Sequence, residues 1–290
     1  MKAAARPPPT VTLPSGQTLP ALGLGTWRYG ESATRRAAEV AALRQALDLG
    51  YRVFDSAEMY GDGGAEAVLG QAIAEAERGG QAREDLFIVS KVLPHNAHAA
   101  GVRTACDASR RRLGVDCIDL YLLHWPGPVP LDETVAAFER LQARGHVRAW
   151  GVSNFDLDDM QALSALPGGR ACATNQVWYS LTERGPEFAL RPWQRVHQMP
   201  LMAYCPIDQG ALADHPALRG MAERHGATPA QVALAWLLAQ GEVMAIPKAS
   251  NVLHLRHNLA AADLSLSAAD LAELDRLFPP PRRKRPLAMR

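Results

Sequence analysis

Short apolar runs alternate with amphipathic stretches along nearly the whole chain, and this alternation constrains the fold more than any other feature. The runs fall at 21–24, 51–54, 86–89, 118–123, 147–152, 171–174, 201–204 and 243–246. Between them, 37–49, 65–76, 102–113, 131–143 and 229–239 repeat their apolar residues with helical periodicity. Gly50 and Gly114 stand where helix C-caps belong. Strands apolar on both faces that alternate with helices form a parallel sheet covered by helices. Eight such units suit a closed (β/α)8 TIM barrel better than an open doubly wound sheet.

Outside the repeat, 11–19 reads as two short strands around Pro14-Ser-Gly16, an N-terminal β-hairpin. Extra helices are expected at 186–198 and 267–277, the second opened by Ser267-Ala-Ala-Asp270. The 290 residues then form one domain, with a flexible Pro-rich lead at 1–9 and a basic Pro-rich tail at 279–290. The tail reads as a solvated terminus near the active face rather than as a nucleic-acid arm.

A formal charge of +1 provides no field to recruit nucleic acid or anionic membrane. Cys106, Cys117, Cys172 and Cys205 show neither Cys-x-x-Cys spacing nor disulfide-scaffold density, so free thiols and a cytoplasmic location are expected. Pro7, Pro8 and Pro9 interrupt the start where a secretory signal needs an apolar run, and no stretch approaches the ~18 apolar residues of a membrane helix.

Polar residues end successive strands: Asp55, Lys91, His124 and Asn154, separated by 36, 33 and 30 residues, the length of one strand-helix unit. All four should converge on one mouth of the barrel. Singly, Asp55 reads also as a helix cap, His124 as a core histidine and Lys91 as a surface residue. Those readings weaken together, because Lys91 and His124 close buried runs. Tyr60 lies just beyond the second strand. A phenol titrates near pH ~10, so Lys91 is expected to stabilise the phenolate while Asp55 orients the lysine. His124 can then donate a hydrogen bond to a carbonyl oxygen that becomes negative. These four side chains describe carbonyl reduction without a metal.

The chain resembles the aldo-keto reductases. Gly23-Leu-Gly-Thr-Trp27, Asp55 to Gly61, Ser90-Lys-Val92, Leu122-Leu-His-Trp-Pro126, Gly151-Val-Ser-Asn-Phe155, Asn175-Gln-Val177, Ala203-Tyr-Cys-Pro206 and Ile246-Pro-Lys248 occur in family order. Within the family, Ala57 to Glu66 resembles bacterial methylglyoxal reductase-like members. The resemblance implies Asp55, Tyr60, Lys91 and His124 as a catalytic tetrad with Tyr60 as general acid. It implies that Ser153, Asn154 and Gln176 hold a nicotinamide carboxamide and that Tyr204 stacks on the ring. Gly25 and Thr26 are read as further cofactor contacts, and Trp27, Met59 and Trp125 as the substrate wall.

No Gly-x-Gly-x-x-Gly follows a strand, which argues against a Rossmann site. The diphosphate is expected along 205–212, with Cys205, Ile207 and Gln209 among its contacts and backbone amides as the main donors. Asp208 is out of place there unless it points away. The resemblance assigns the adenosine 2'-phosphate to Lys248. In many family members a serine or threonine follows this lysine and an arginine lies six positions on, where this chain has Ala249 and His254. Ser250 can replace the hydroxyl, and Asn258 can reach the adenine edge. His254 reads either as a titratable substitute for the arginine or as a solvent-facing helix residue. The expectation is a monomeric, NADPH-preferring reductase of small carbonyls, with NADH possible. The alternatives are a cofactor-sensing protein on the same barrel and an aldolase with Lys91 as Schiff base.

Overall fold

A computed structural model describes residues 8–289, so most of the expected lead at 1–9 lies outside the described residues. The hairpin pairs β1 (Thr10–Thr12) with β2 (Thr18–Pro20), Val11 opposite Leu19. Gly16 makes the turn at φ +86°, where a Cβ would be strained. Val11, Leu13 and Leu19 are buried and join the core.

Eight parallel strands follow: β3 (Leu24–Gly25), β4 (Val53–Asp55), β5 (Phe87–Val92), β6 (Ile118–Leu123), β7 (Val147–Ser153), β8 (Asn175–Trp178), β9 (Leu201–Tyr204) and β10 (Val243–Ala245). They pair in sequence order, and the sheet then closes on itself. Leu22 bridges Ala245 and Gly25 bridges Lys248, with Gly23 N donating to Ala245 O at 2.9 Å and Gly25 N to Pro247 O at 3.1 Å. Every residue of β5 and β6 is buried, as strands covered on both faces require. On the outer face Phe138, from the helix Leu131–Ala143, stacks on Trp150 of β7 with ring centroids 5.5 Å apart.

Three expected boundaries are corrected, the first at β3, which shares only Leu24 with the run expected at 21–24. The sixth barrel strand is β8, not 171–174. Gly169–Ala171 form a 3-10 turn, and the apolar residues after it only lead into the ladder, Ala173 N donating to Trp150 O at 2.8 Å. The strand itself carries Asn175 and Gln176, which a search for apolar runs passes over. The helix expected at 186–198 is split into a 3-10 turn at Gly185–Glu187 and a helix at Leu190–Val196, because Ala189 is non-helical (φ −143°, ψ −40°). The last expected helix is present as Ala268–Leu277, with Ser267 and Asp270 closing a reciprocal capping box. In the tail, Lys284 Nζ lies 3.0 Å from Asp158, on the helix that follows β7. Among the described residues no helix is long and apolar enough to cross a membrane.

Candidate active site

Asp55 ends β4, Lys91 is the penultimate residue of β5, and His124 directly follows β6, so all three reach the same mouth. Asn154 follows β7, Gln176 sits on β8 and Tyr204 ends β9. Tyr60 arrives on the loop between β4 and the helix Gly64–Arg78. That loop is held from two sides. A Cβ on Gly30 would meet the Gly64 carbonyl carbon at 2.1 Å, so the loops after β3 and β4 touch backbone to backbone. Glu58 Oε1 accepts from Leu93 N at 2.6 Å and Asn96 Nδ2 at 3.1 Å, tying the loop to the segment after β5.

Lys91 is fully buried. Its Nζ donates to Asp55 Oδ2 (2.7 Å), Ser56 O (2.8 Å) and Tyr60 OH (3.2 Å). Burial lowers its ammonium from the ordinary lysine range, and Asp55 acts in the opposite direction. Tyr60 is held in its neutral form. Burial first, then the Asp55 carboxylate, pushes its phenol well above the ordinary value, so at neutral pH it is a protonated donor. Lys91 is therefore placed to stabilise charge that develops on the phenol during reaction, rather than to ionise it at rest. Burial and the Lys91 charge push His124 well below the ordinary histidine value. His124 is a neutral imidazole at physiological pH, and its buried Nδ1 has no hydrogen-bond partner.

Gln176 donates from Nε2 to Asp55 Oδ1 at 2.8 Å, so each carboxylate oxygen of Asp55 has its own donor. Asn154, at φ +60°, donates to His124 O (3.1 Å) and Ser153 Oγ (3.1 Å) and accepts from Tyr204 OH (2.8 Å). Ser153 Oγ in turn donates to Gln176 O at 2.8 Å. An amide oxygen has two lone pairs, so Asn154 Oδ1 can accept a second donor besides Tyr204 OH, as a carboxamide would offer.

A cavity of about 710 Å³ opens over these residues, within the size range of ligand sites. It runs from Asp55, Tyr60 and His124 past Tyr204 and the segment Cys205, Ile207 and Gln209 to Lys248, His254 and Asn258, with Gly25, Trp27, Met59, Ser153, Asn154 and Gln176 also in its wall. Thr26, Lys91, Trp125 and Ser250 are not in the wall. Thr26 and Lys91 are buried beneath it, the Thr26 hydroxyl donating to Asp55 O at 3.0 Å. Trp125 packs on His124 with centroids 4.9 Å apart, and Ser250 Oγ accepts from Lys248 Nζ at 3.2 Å. Asp208 is absent from the wall although Ile207 and Gln209 belong to it. The amides of Asp208, Gly210, Ala211 and Leu212 already bond carbonyls within their own loop, which leaves fewer free backbone donors there than the sequence reading assumed.

Sequence reasoning missed Arg28 and His257, both in the cavity wall. Arg28 adopts φ +66° and lays its guanidinium 4.4 Å from the Trp27 ring centroid. Its adjacency to the Gly23–Trp27 block was the available signal. His257 is one helical turn beyond His254 in the helix Val252–Ala260. Lys248 is lowered from the ordinary lysine range by partial burial, opposed by Glu39 and reinforced by Arg35 and Arg28.

The sequence profile of the Aldo/keto reductase family matches residues 21–278. The chain belongs to the aldo/keto reductase family. This aldo/keto reductase is 49% identical over 277 residues to methylglyoxal reductase YeaE of Escherichia coli, covering 94% of this chain and 95% of that protein. It is 37% identical to an aldo-keto reductase of Mycolicibacterium smegmatis over 94% of this chain and 97% of that one. Among solved structures, an aldo/keto reductase from Klebsiella pneumoniae in complex with NADP and acetate superposes with a TM-score of 0.92 at 50% identity, covering 98% of this chain and 100% of that one. With such neighbours, the closed eight-stranded sheet of this reductase is an aldo/keto reductase barrel.

Proposed function

We propose that this reductase catalyses the NADPH-dependent reduction of aldehydes and ketones, methylglyoxal and related small carbonyls among them, with Tyr60 as general acid. The observation that carries the reading is the Tyr60 hydroxyl, 3.2 Å from a buried lysine that is itself 2.7 Å from Asp55, at one end of an elongated cavity. When bound, NADPH supplies the hydride. Tyr60 gives its proton to the carbonyl oxygen, and the Lys91 ammonium stabilises the phenolate left behind. Asp55 holds Lys91 in place. With Nδ1 unpartnered, the neutral His124 carries its proton on Nε2, which serves as the donor to the substrate oxygen.

The residues present suit the cofactor. The side-chain amides of Asn154 and Gln176 line the cavity with Tyr60, the aromatic Tyr204 is hydrogen-bonded to Asn154, and Lys248 and Arg28 provide cations farther along. We assign the carboxamide to Ser153, Asn154 and Gln176, and the 2'-phosphate to Lys248 with Ser250 as its hydrogen-bonded neighbour. Trp27 and Met59 form the substrate wall, with Trp125 behind His124. The name of the Escherichia coli relative and the ligand of the Klebsiella pneumoniae structure support methylglyoxal and NADP respectively. We further propose a single-domain monomer in the cytoplasm, a location supported by four free cysteines.

The test is NADPH consumption with methylglyoxal. Tyr60→Phe should lower kcat by roughly 10²- to 10⁴-fold while leaving the Kd for NADPH nearly unchanged. Unaltered turnover in that variant would remove Tyr60 from the mechanism, and borohydride trapping of substrate on Lys91 would favour an aldolase.

A further inference from the structure

The cavity extends past Lys248. It continues along the helix Val252–Ala260, where His254 and His257 both line it, three residues apart and so on one helix face. A dinucleotide whose reacting ring lies at Tyr60 directs its other end toward this helix. NADP(H) and NAD(H) differ only at that end, by one phosphate. We infer that His254 and His257 form a titratable cation pair that strengthens the preference for the 2'-phosphorylated cofactor as the pH falls, an inference that rests on the NADPH reading above.

The other charged groups do not supply this dependence. Lys248 and Arg28 line the cavity as cations, and Asp214 is the carboxylate besides Asp55 in its described wall. Two helices pack on Val252–Ala260. Pro229–Ala239 carries no charged side chain, and the charged residues of Arg36–Asp48 (Arg36, Glu39, Arg44 and Asp48) are outside the cavity wall, as is Arg256 of the helix itself. An imidazole gains its charge around pH ~6.5. A phosphate dianion beside it favours the charged ring, so by linkage the phosphate binds more tightly where the ring is protonated. A guanidinium in the same place would give no slope, because it stays charged throughout. The phosphate itself takes up a proton near pH ~6, so the gain levels off below that value.

The test measures Kd for NADP+ and NAD+ by isothermal calorimetry on the full-length protein at pH 6.0 and 8.0. The ratio of the two constants should move about tenfold toward NADP+ on going from pH 8.0 to 6.0, the size of a one-unit rise in a histidine pKa. His254→Gln/His257→Gln should abolish or reverse that change, with circular dichroism and melting temperature confirming the fold. His254→Arg should give a high ratio at both pH values. A flat ratio in the unmodified protein, or the same slope in the double glutamine variant, overturns the pair while leaving NADPH as cofactor. Failure to bind NADP+ at either pH instead overturns the NADPH reading.

Discussion

Gln176 connects two tasks through one side chain. Its Nε2 holds Asp55 Oδ1, and the residue lines the cavity, so removing the amide disturbs both the Asp55–Lys91 pair and the proposed carboxamide site. Gln176→Met should reduce kcat roughly tenfold and weaken NADP+ binding together, since a hydrogen bond to a charged group contributes about 1.5–3 kcal/mol. Steady-state kinetics with a separate Kd measurement separates the two effects. His124 makes a pH prediction. Its folded pKa lies below the ordinary histidine value, so its contribution to stability is complete above pH ~6.5 and is lost as the pH falls and the unfolded ring takes up the proton that the buried ring refuses. Denaturation at pH 7.5 and 5.5 should show the loss, and His124→Asn should reduce it. The convergence of Asp55, Lys91 and His124 was legible because each closes an apolar run at a regular interval. The bond from Gln176 to Asp55 was not, since their separation of 121 residues leaves no periodic trace. Nor could the sequence order burial against charge at Tyr60, where burial dominates.

At the scale of elements, the contact between the loops after β3 and β4 decides where Tyr60 stands. Gly30→Ala introduces a Cβ at φ +72° and within 2.1 Å of the Gly64 backbone. Strain and overpacking together should cost about 2–4 kcal/mol. Loss of activity should exceed the loss of folded protein, measured by comparing specific activity with the circular dichroism signal. Ser267→Ala removes the N-cap of Ala268–Leu277 and should cost about 1 kcal/mol in urea denaturation with little change in kcat. The helices Leu131–Ala143 and Pro229–Ala239 were legible to the residue, each carrying dense apolar positions behind a proline at or next to its cap. β8 was shifted because its functional polar residues hide the strand. Helix 186–198 was overextended because a break at an alanine has no compositional signature.

The whole molecule closes through a small seam, Leu22 to Ala245 and Gly25 to Lys248, and the proposed phosphate site lies over it. Ligand binding should therefore stabilise the barrel globally. NADP+ at 100 times its Kd adds about 2.7 kcal/mol, which for a domain of this size is a rise on the order of 5 °C in Tm, read by differential scanning fluorimetry. The seam also orders events in time. Arg28 follows the first barrel strand, while Lys248, His254 and His257 follow the eighth, so the cation site does not exist until all eight strands are made and the first and last have met. A partly made barrel presents Tyr60 and Lys91 without a full grip on the phosphate end, and cofactor capture thereby marks a closed barrel.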